Sequence, residues 1–248
     1  MALLNDLKRT IFKIIEKKLN TAVSLNLMGM VVVLTGGSRG LGREISINLV
    51  SAGCQVINLS RTPSHVPGVL DICCDLKNSS SIDEALEKIR GDFKKIDVLI
   101  NNAASTNNFS WPNINFNNIQ ETISVNVSAL VYLTSKVSAL MVESRSGLIL
   151  NIGSKISRNP NINSDKILYG VSKYAVEGFS NALRPSLREY GVRVVCLLPG
   201  TLNTELSLKS GNFLATEDVC ETIQFIISKD NIDFENIVIK GKFQGNVG

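Results

Sequence analysis

The sequence predicts an α/β fold: one doubly wound domain on a parallel, seven-stranded sheet, preceded by an N-terminal amphipathic helical extension. Three observations carry that expectation. From Met30 onward, short β-branched runs alternate with longer stretches of helical periodicity, and strands separated by helices imply a parallel sheet covered on both faces. The first of these runs, Val31–Thr35, passes at once into spaced glycines and then into a helical pattern. At 248 residues, with 44% hydrophobic and only 19% charged residues, the chain has the length and apolar content of one large globular domain.

Residues 1–29 stand before that pattern. Leu3, Leu4, Leu7, Ile11, Ile14, Ile15 and Leu19 recur at helical spacing, while Lys8, Arg9, Lys13, Lys17 and Lys18 fill much of the remainder. A helix packed on its own domain or on a sister subunit is one reading. A basic helix in peripheral contact with an anionic membrane is another. Asp6 and Glu16 argue against a third, a cleaved targeting segment, because such segments are poor in acids. The expected division is therefore an extension over 1–29 and a Rossmann-type domain over 30–248.

Within that domain the strand-like runs are Val31–Thr35, Gln55–Ser60, Val69–Asp75, Ile96–Asn101, Gly147–Gly153, Val192–Leu198 and Asn236–Lys240. Helical runs fall near Leu41–Ser51, Ser81–Phe93, Asn117–Val142, Leu168–Tyr190 and Thr216–Ser228. Ser81 with Glu84 three residues later reads as a capping box for the second helix. No apolar run reaches bilayer-spanning length, and no secretory signal is visible, so a cytoplasmic protein is expected. The five cysteines form no C-x-x-C pair; Cys54, Cys73, Cys74 and Cys196 lie in or beside apolar runs and read as buried, reduced thiols. A net charge of +4 is too mild to imply nucleic acid. His65 is the only histidine, which removes histidine-based catalysis and a histidine metal cluster; no metal is expected.

The glycines Gly36, Gly40 and Gly42 sit where strand gives way to helix. That grammar suits a dinucleotide: small residues let backbone N–H groups approach a pyrophosphate, and the helix N-terminus favours the anion. The spacing G-x-x-x-G-x-G differs from the common G-x-G-x-x-G. Further on, YGVSK places Tyr169 and Lys173 one helical turn apart on one face. An ammonium beside a phenol should favour the phenolate and bring it toward working range. Ser154 ends an apolar strand where a hydroxyl faces the cofactor crevice, and Asn101–Ala104 (NNAA) ends the preceding one.

Taken with Asp75, Asn126, Pro199-Gly200 and Thr204, these pieces stand in the order of one family, and the chain resembles a classical short-chain dehydrogenase/reductase. The resemblance covers nearly everything from Met30 onward. It implies a homo-oligomer, a dimer or tetramer paired through the two long helices, acting on a small-molecule carbonyl or alcohol by hydride transfer. Tyr169 is then the acid/base, Lys173 holds the ribose and tunes Tyr169, Ser154 bonds the carbonyl oxygen, and Asn126 anchors a water relay to Lys173. The implied cofactor set is Gly36, Ser38, Arg39, Gly40, Leu41 and Gly42 at the glycine turn, and Asp75 with Leu76 at the adenine. It continues with Asn101 and Ala103 on the adenosine side, and with Pro199, Gly200, Leu202 and Thr204 toward the carboxamide. Tyr169 and Lys173 complete it.

NAD binding usually places a carboxylate at the end of the second strand. Here that strand ends without an acid and Arg61 follows; Arg39 lies inside the glycine turn. Two guanidiniums suit a 2′-phosphate, so NADP(H) is the expected cofactor. The competing reading is a catalytically silent NADP-binding regulator or scaffold. Two departures from the family bear on the substrate. The loop from Lys155 to Leu168 is longer than usual, and the C-terminus lacks the glycine-rich ending of many 3-oxoacyl-carrier-protein reductases.

Overall fold

The computed structural model describes residues 26–106, 109–159, 161–202 and 213–242. Most of the extension, residues 1–25, and Thr204 lie outside the described residues. In chain order the elements are β1 (Val31–Thr35), α1 (Gly40–Ser51), β2 (Gln55–Ser60), β3 (Val69–Cys73), α2 (Ser79–Asp92) and β4 (Val98–Asn101). Then come α3 (Phe116–Ile123), a π-helical turn (Ser124–Ser128), α4 (Ala129–Ser144) and β5 (Gly147–Ile152). Two short 3-10 turns, Lys155–Arg158 and Ser164–Lys166, lead into α5 (Ile167–Arg188), β6 (Val192–Pro199), α6 (Thr216–Ser228) and β7 (Asn236–Ile239).

The seven strands form one sheet in the order β3-β2-β1-β4-β5-β6-β7, with every neighbouring pair parallel. The direction of winding reverses between β1 and β4, and ligands of open α/β sheets bind outside the strand ends at such a switch point. Period-two alternation divides the strand residues between two cores. Val32, Leu34, Val56, Val98, Ile100, Leu150 and Leu197 pack with Ile45 and Leu49 of α1 and Val219, Ile223 and Ile226 of α6. Val33, Ile57, Leu59, Leu99, Ile149 and Val194 face Ile82 and Ile89 of α2 and Leu133, Val137 and Met141 of α4. Burial on both faces is why the central strands read as continuous apolar runs.

Four expectations change. The cap of α2 is Asn78, whose side chain accepts from Ser80 N at 2.9 Å; the hydroxyl of Ser81 instead holds Asp75 N at 3.1 Å. The run expected as one helix over Asn117–Val142 is broken by the π turn at Ser124–Ser128. The stretch Phe116–Ser144 is, against expectation, long and apolar enough to cross a membrane by length and composition; α4 within it commits Leu133, Val137 and Met141 to the sheet. Cys73 is exposed on the edge strand β3, whereas Cys54, Cys74, Cys196 and Cys220 are buried; burial pushes the Cys54 and Cys196 thiols up to about 11.

Candidate active site

At the glycine turn, two glycines are demanded by conformation and one by contact. Gly36 and Gly40 have φ of +70° and +53°, a region costly for any residue bearing a Cβ. A Cβ on Gly42 would lie 2.1 Å from the carbonyl oxygen of Gly36. Asn102 locks this loop from the neighbouring strand: its Nδ2 donates to Thr35 O (3.0 Å) and Gly36 O (3.2 Å). Thr35 Oγ1 in turn accepts from the backbone N–H groups of Asn102 and Ala103, both at 3.0 Å. From the other side, Asn58 on β2, fully buried, accepts from Gly37 N at 2.7 Å. The result is a side-chain-free cradle at the start of α1, the kind of surface a pyrophosphate requires.

Ser38 is half-buried in the turn, and Arg39 is exposed just before α1. Arg61 is exposed immediately after β2, and among the described residues neither guanidinium has a partner. Asp71 on β3 pairs with Asn58 of β2 and puts a carboxylate beside that strand. Its oxygens are committed to Asn58 Nδ2 (2.7 Å), Ser64 N (2.9 Å) and Ser64 Oγ (3.0 Å). Asp75 and Leu76 follow β3, half-buried, with Asp75 Oδ1 accepting from Lys77 N. Pro199 closes β6, Gly200 N donates to Ile239 O at 2.7 Å, and Leu202 bridges Leu214. Ser38, Arg39, Arg61, Asp75, Leu76, Pro199 and Gly200 all sit at or just beyond the C-terminal ends of their strands.

Across the crevice, α5 presents Tyr169 and Lys173 one turn apart. Lys173 is buried, its Nζ donates to Ile152 O at 2.7 Å, and it lies 5.6 Å from the centre of the Tyr169 ring. Ile152 ends β5, and Ser154 follows two residues later, bonded through its side chain to Tyr169. Burial raises the Tyr169 phenol above its ordinary 10, and the Ser154 bond pulls it part of the way back. Burial also lowers Lys173 to about 8. The expectation that Lys173 brings the phenol down toward neutrality is thus reversed: desolvation dominates both groups, and the ammonium is the one brought toward working pH.

Two residues sit differently from their expected roles. The Asn101 amide points into the interior, donating to Thr134 Oγ1 (2.9 Å) and Asn151 Oδ1 (2.8 Å), so it does not line the crevice. Asn126, in the π turn, accepts from Ser105 N (2.6 Å) and donates to Ser105 O (3.0 Å) and Ser172 Oγ (2.9 Å). Both its amide protons are in use, so it braces the loop after β4 against α5. Sequence reasoning missed Asn102, Asn58 and Ser172. A partial signal for Asn102 was strand alternation: if the Asn101 side chain faces one side of the sheet, that of its neighbour faces the other.

The family model described as short chain dehydrogenase matches residues 30–213. Over 183 residues the chain is 36% identical to an uncharacterized short-chain type dehydrogenase/reductase of Sinorhizobium fredii, covering 71% of each chain. It is 28% identical over 191 residues to the 3-oxoacyl-(acyl-carrier-protein) reductase of Escherichia coli, covering 74% of this chain and 78% of that one. The crystal structure of serine dehydrogenase from Escherichia coli matches with a TM-score of 0.77 at 26% identity, covering 87% of this chain and 100% of the other.

Proposed function

Since the chain belongs to the short-chain dehydrogenase/reductase family and is an NAD(P)(H)-dependent oxidoreductase, we propose that it is a carbonyl reductase using NADP(H) with Tyr169 as acid/base. The observation that carries this reading is Ser154, Tyr169 and Lys173 meeting at the strand ends opposite an open glycine cradle. The glycine-lined cradle fits a dinucleotide pyrophosphate, and the unpartnered guanidiniums of Arg39 and Arg61 suit a 2′-phosphate. With Asp71 committed to Asn58 and Ser64, no acid at the end of β2 competes for that position. Ser38, Leu41, Asp75, Leu76, Ala103, Pro199, Gly200, Leu202 and Thr204 complete the proposed cofactor set. Asn101 belongs to it only through its backbone.

The bound nicotinamide supplies or accepts the hydride. Everything else falls to the protein. The Ser154 hydroxyl donates to the carbonyl oxygen, and the Tyr169 phenol, protonated at neutral pH, delivers its proton as alkoxide charge develops there. Lys173 keeps donors to spare beyond Ile152 O, enough to hold ribose hydroxyls and to take part in reprotonating Tyr169. Asn126, expected from the family resemblance to anchor a water relay to Lys173, has both amide protons committed to Ser105 O and Ser172 Oγ, so its side chain is proposed to hold the loop after β4 against α5. The molecule is further proposed to work as a homo-oligomer paired through the helices that carry this machinery.

NADPH oxidation over a panel of ketones and aldehydes tests the reading. Tyr169→Phe is expected to lower kcat about a hundredfold or more while NADPH affinity stays within about threefold. Tight NADPH binding by a wild type that turns over nothing across the panel would favour the silent regulator instead. Arg61→Asp is expected to weaken NADPH at least about tenfold more than NADH. Equal losses for the two nucleotides would remove the case for the phosphate.

A further inference from the structure

The face of α5 that carries Tyr169 and Lys173 carries a third ionisable residue one turn further on, Glu177. It is buried to 7% exposure, and its hydrogen-bond partners are Ser157 and Arg158. Its carboxylate is held by the turn that follows Ser154. Ser157 Oγ lies 2.5 Å from Glu177 Oε2, and Arg158 Nε donates to Oε1 at 2.7 Å, with a second guanidinium nitrogen in contact with the same oxygen. Burying a carboxylate is costly unless it is hydrogen-bonded. The turn therefore cannot leave without stranding that charge, and the penalty fixes the Lys155–Arg158 turn to α5.

Ser154 is the residue this clamp controls. It caps the 3-10 turn, its Oγ accepting from Ile156 N at 3.3 Å. Its carbonyl accepts from Ser157 N (3.1 Å), and the Ser157 hydroxyl, whose single proton goes to the Glu177 carboxylate, packs 2.9 Å from the same carbonyl. Backbone and side chain of Ser154 are thus both set by a turn whose anchor is Glu177. The need for an anchor follows from the loop. Twelve residues, Lys155 to Lys166, separate Ser154 from the start of the Tyr169 helix at Ile167, and a free loop of that length would leave the hydroxyl poorly placed. A misplacement of about 1 Å in a catalytic group costs on the order of a hundredfold in rate.

We propose that Glu177 is a positioning residue for carbonyl reduction, holding the Ser154 hydroxyl at the Tyr169 phenol through Ser157 and Arg158. The inference rests on the assignment of Ser154 and Tyr169 to the reacting carbonyl. A double-mutant cycle in the full chain tests it, using whichever panel carbonyl the wild type reduces. Glu177→Ala is expected to lower kcat about ten- to a hundredfold, with NADPH affinity unchanged within about threefold. In a Ser154→Ala background the same substitution should cost less than about threefold, because the group it positions is already gone. Glu177→Gln keeps an acceptor for Ser157 and should recover at least about tenfold of the lost rate. That rescue decides the matter if the Ser154→Ala rate falls below detection or if Glu177→Ala fails to fold. Losses that multiply across the cycle, a Gln variant no better than Ala, or a Glu177→Ala enzyme with wild-type kcat would each overturn the proposal. A Ser154→Ala enzyme with normal kcat would overturn the active-site assignment itself, and so would a wild type without turnover.

Discussion

Lys173 shows how burial sets the chemistry of one residue. Desolvation brings its ammonium from 10.5 to about 8, a displacement worth roughly 3 kcal/mol. Two consequences have opposite signs. Below pH 8 the group is charged and competent to hold the cofactor, so kcat/KM for NADPH, which reports the free enzyme, is expected to fall as pH rises through about 8. Stability runs the other way. The unfolded chain keeps its lysine protonated up to about 10.5, so the cost of burying the charge is full below 8 and is relieved between 8 and 10.5. Measured by denaturant unfolding of the cofactor-free protein, wild type should gain on Lys173→Met by up to roughly 3 kcal/mol between pH 7 and 10.5. A constant difference over that range would mean that Lys173 titrates normally. Tyr169 completes the picture: with burial holding its phenol protonated, it is suited to donate, which favours reduction at neutral pH.

At the scale of elements, the glycine turn is the joint on which β1, α1 and β4 close. Gly42→Ala would drive a methyl into Gly36 O and the Asn102 amide, the two groups that define the turn. Binding of NADPH, followed by fluorescence titration, is expected to weaken at least about tenfold; retention of wild-type affinity would show that the turn opens without cost. Elements such as β1, β2 and α6 were legible to the residue because β-branched runs and helical periodicity are local signals. The cap of α2 was displaced from Ser81 to Asn78 because several cap-forming residues stand in a row there, and the sequence alone cannot rank them. The π turn was hidden inside α3–α4 because both flanks are helical and the bulge shows in sequence only as a one-residue slip of phase between them. Among site residues, Tyr169, Lys173 and Ser154 were found through spacing. Asn58, Asn102 and Glu177 were not, since each acts through a partner far away in sequence: Gly37, Thr35 and Ser157.

The whole molecule leaves apolar surface on the helices beside the site. Phe116 (69% exposed) and Ile119 on α3, Val131 on α4, and Val171 (53%) and Tyr174 (47%) on α5 lie open, although α4 and α5 bury their other faces against the sheet. Large apolar side chains concentrated on neighbouring elements mark an association surface more often than chance exposure. A symmetric pair using this face would brace the turn and helix that carry Ser154, Tyr169 and Lys173, so assembly and catalysis are expected to be coupled. If copies pair through this face, Val171→Asp with Tyr174→Asp would place two like charges on each copy at a self-complementary contact, where they would repel across the two-fold axis. Sedimentation velocity should then show a smaller species than wild type, with the circular dichroism of the fold retained and turnover reduced at least about tenfold at dilute enzyme. A wild type that already sediments as a monomer would refute pairing through this face. A variant that dissociates but keeps full turnover would separate assembly from the chemistry.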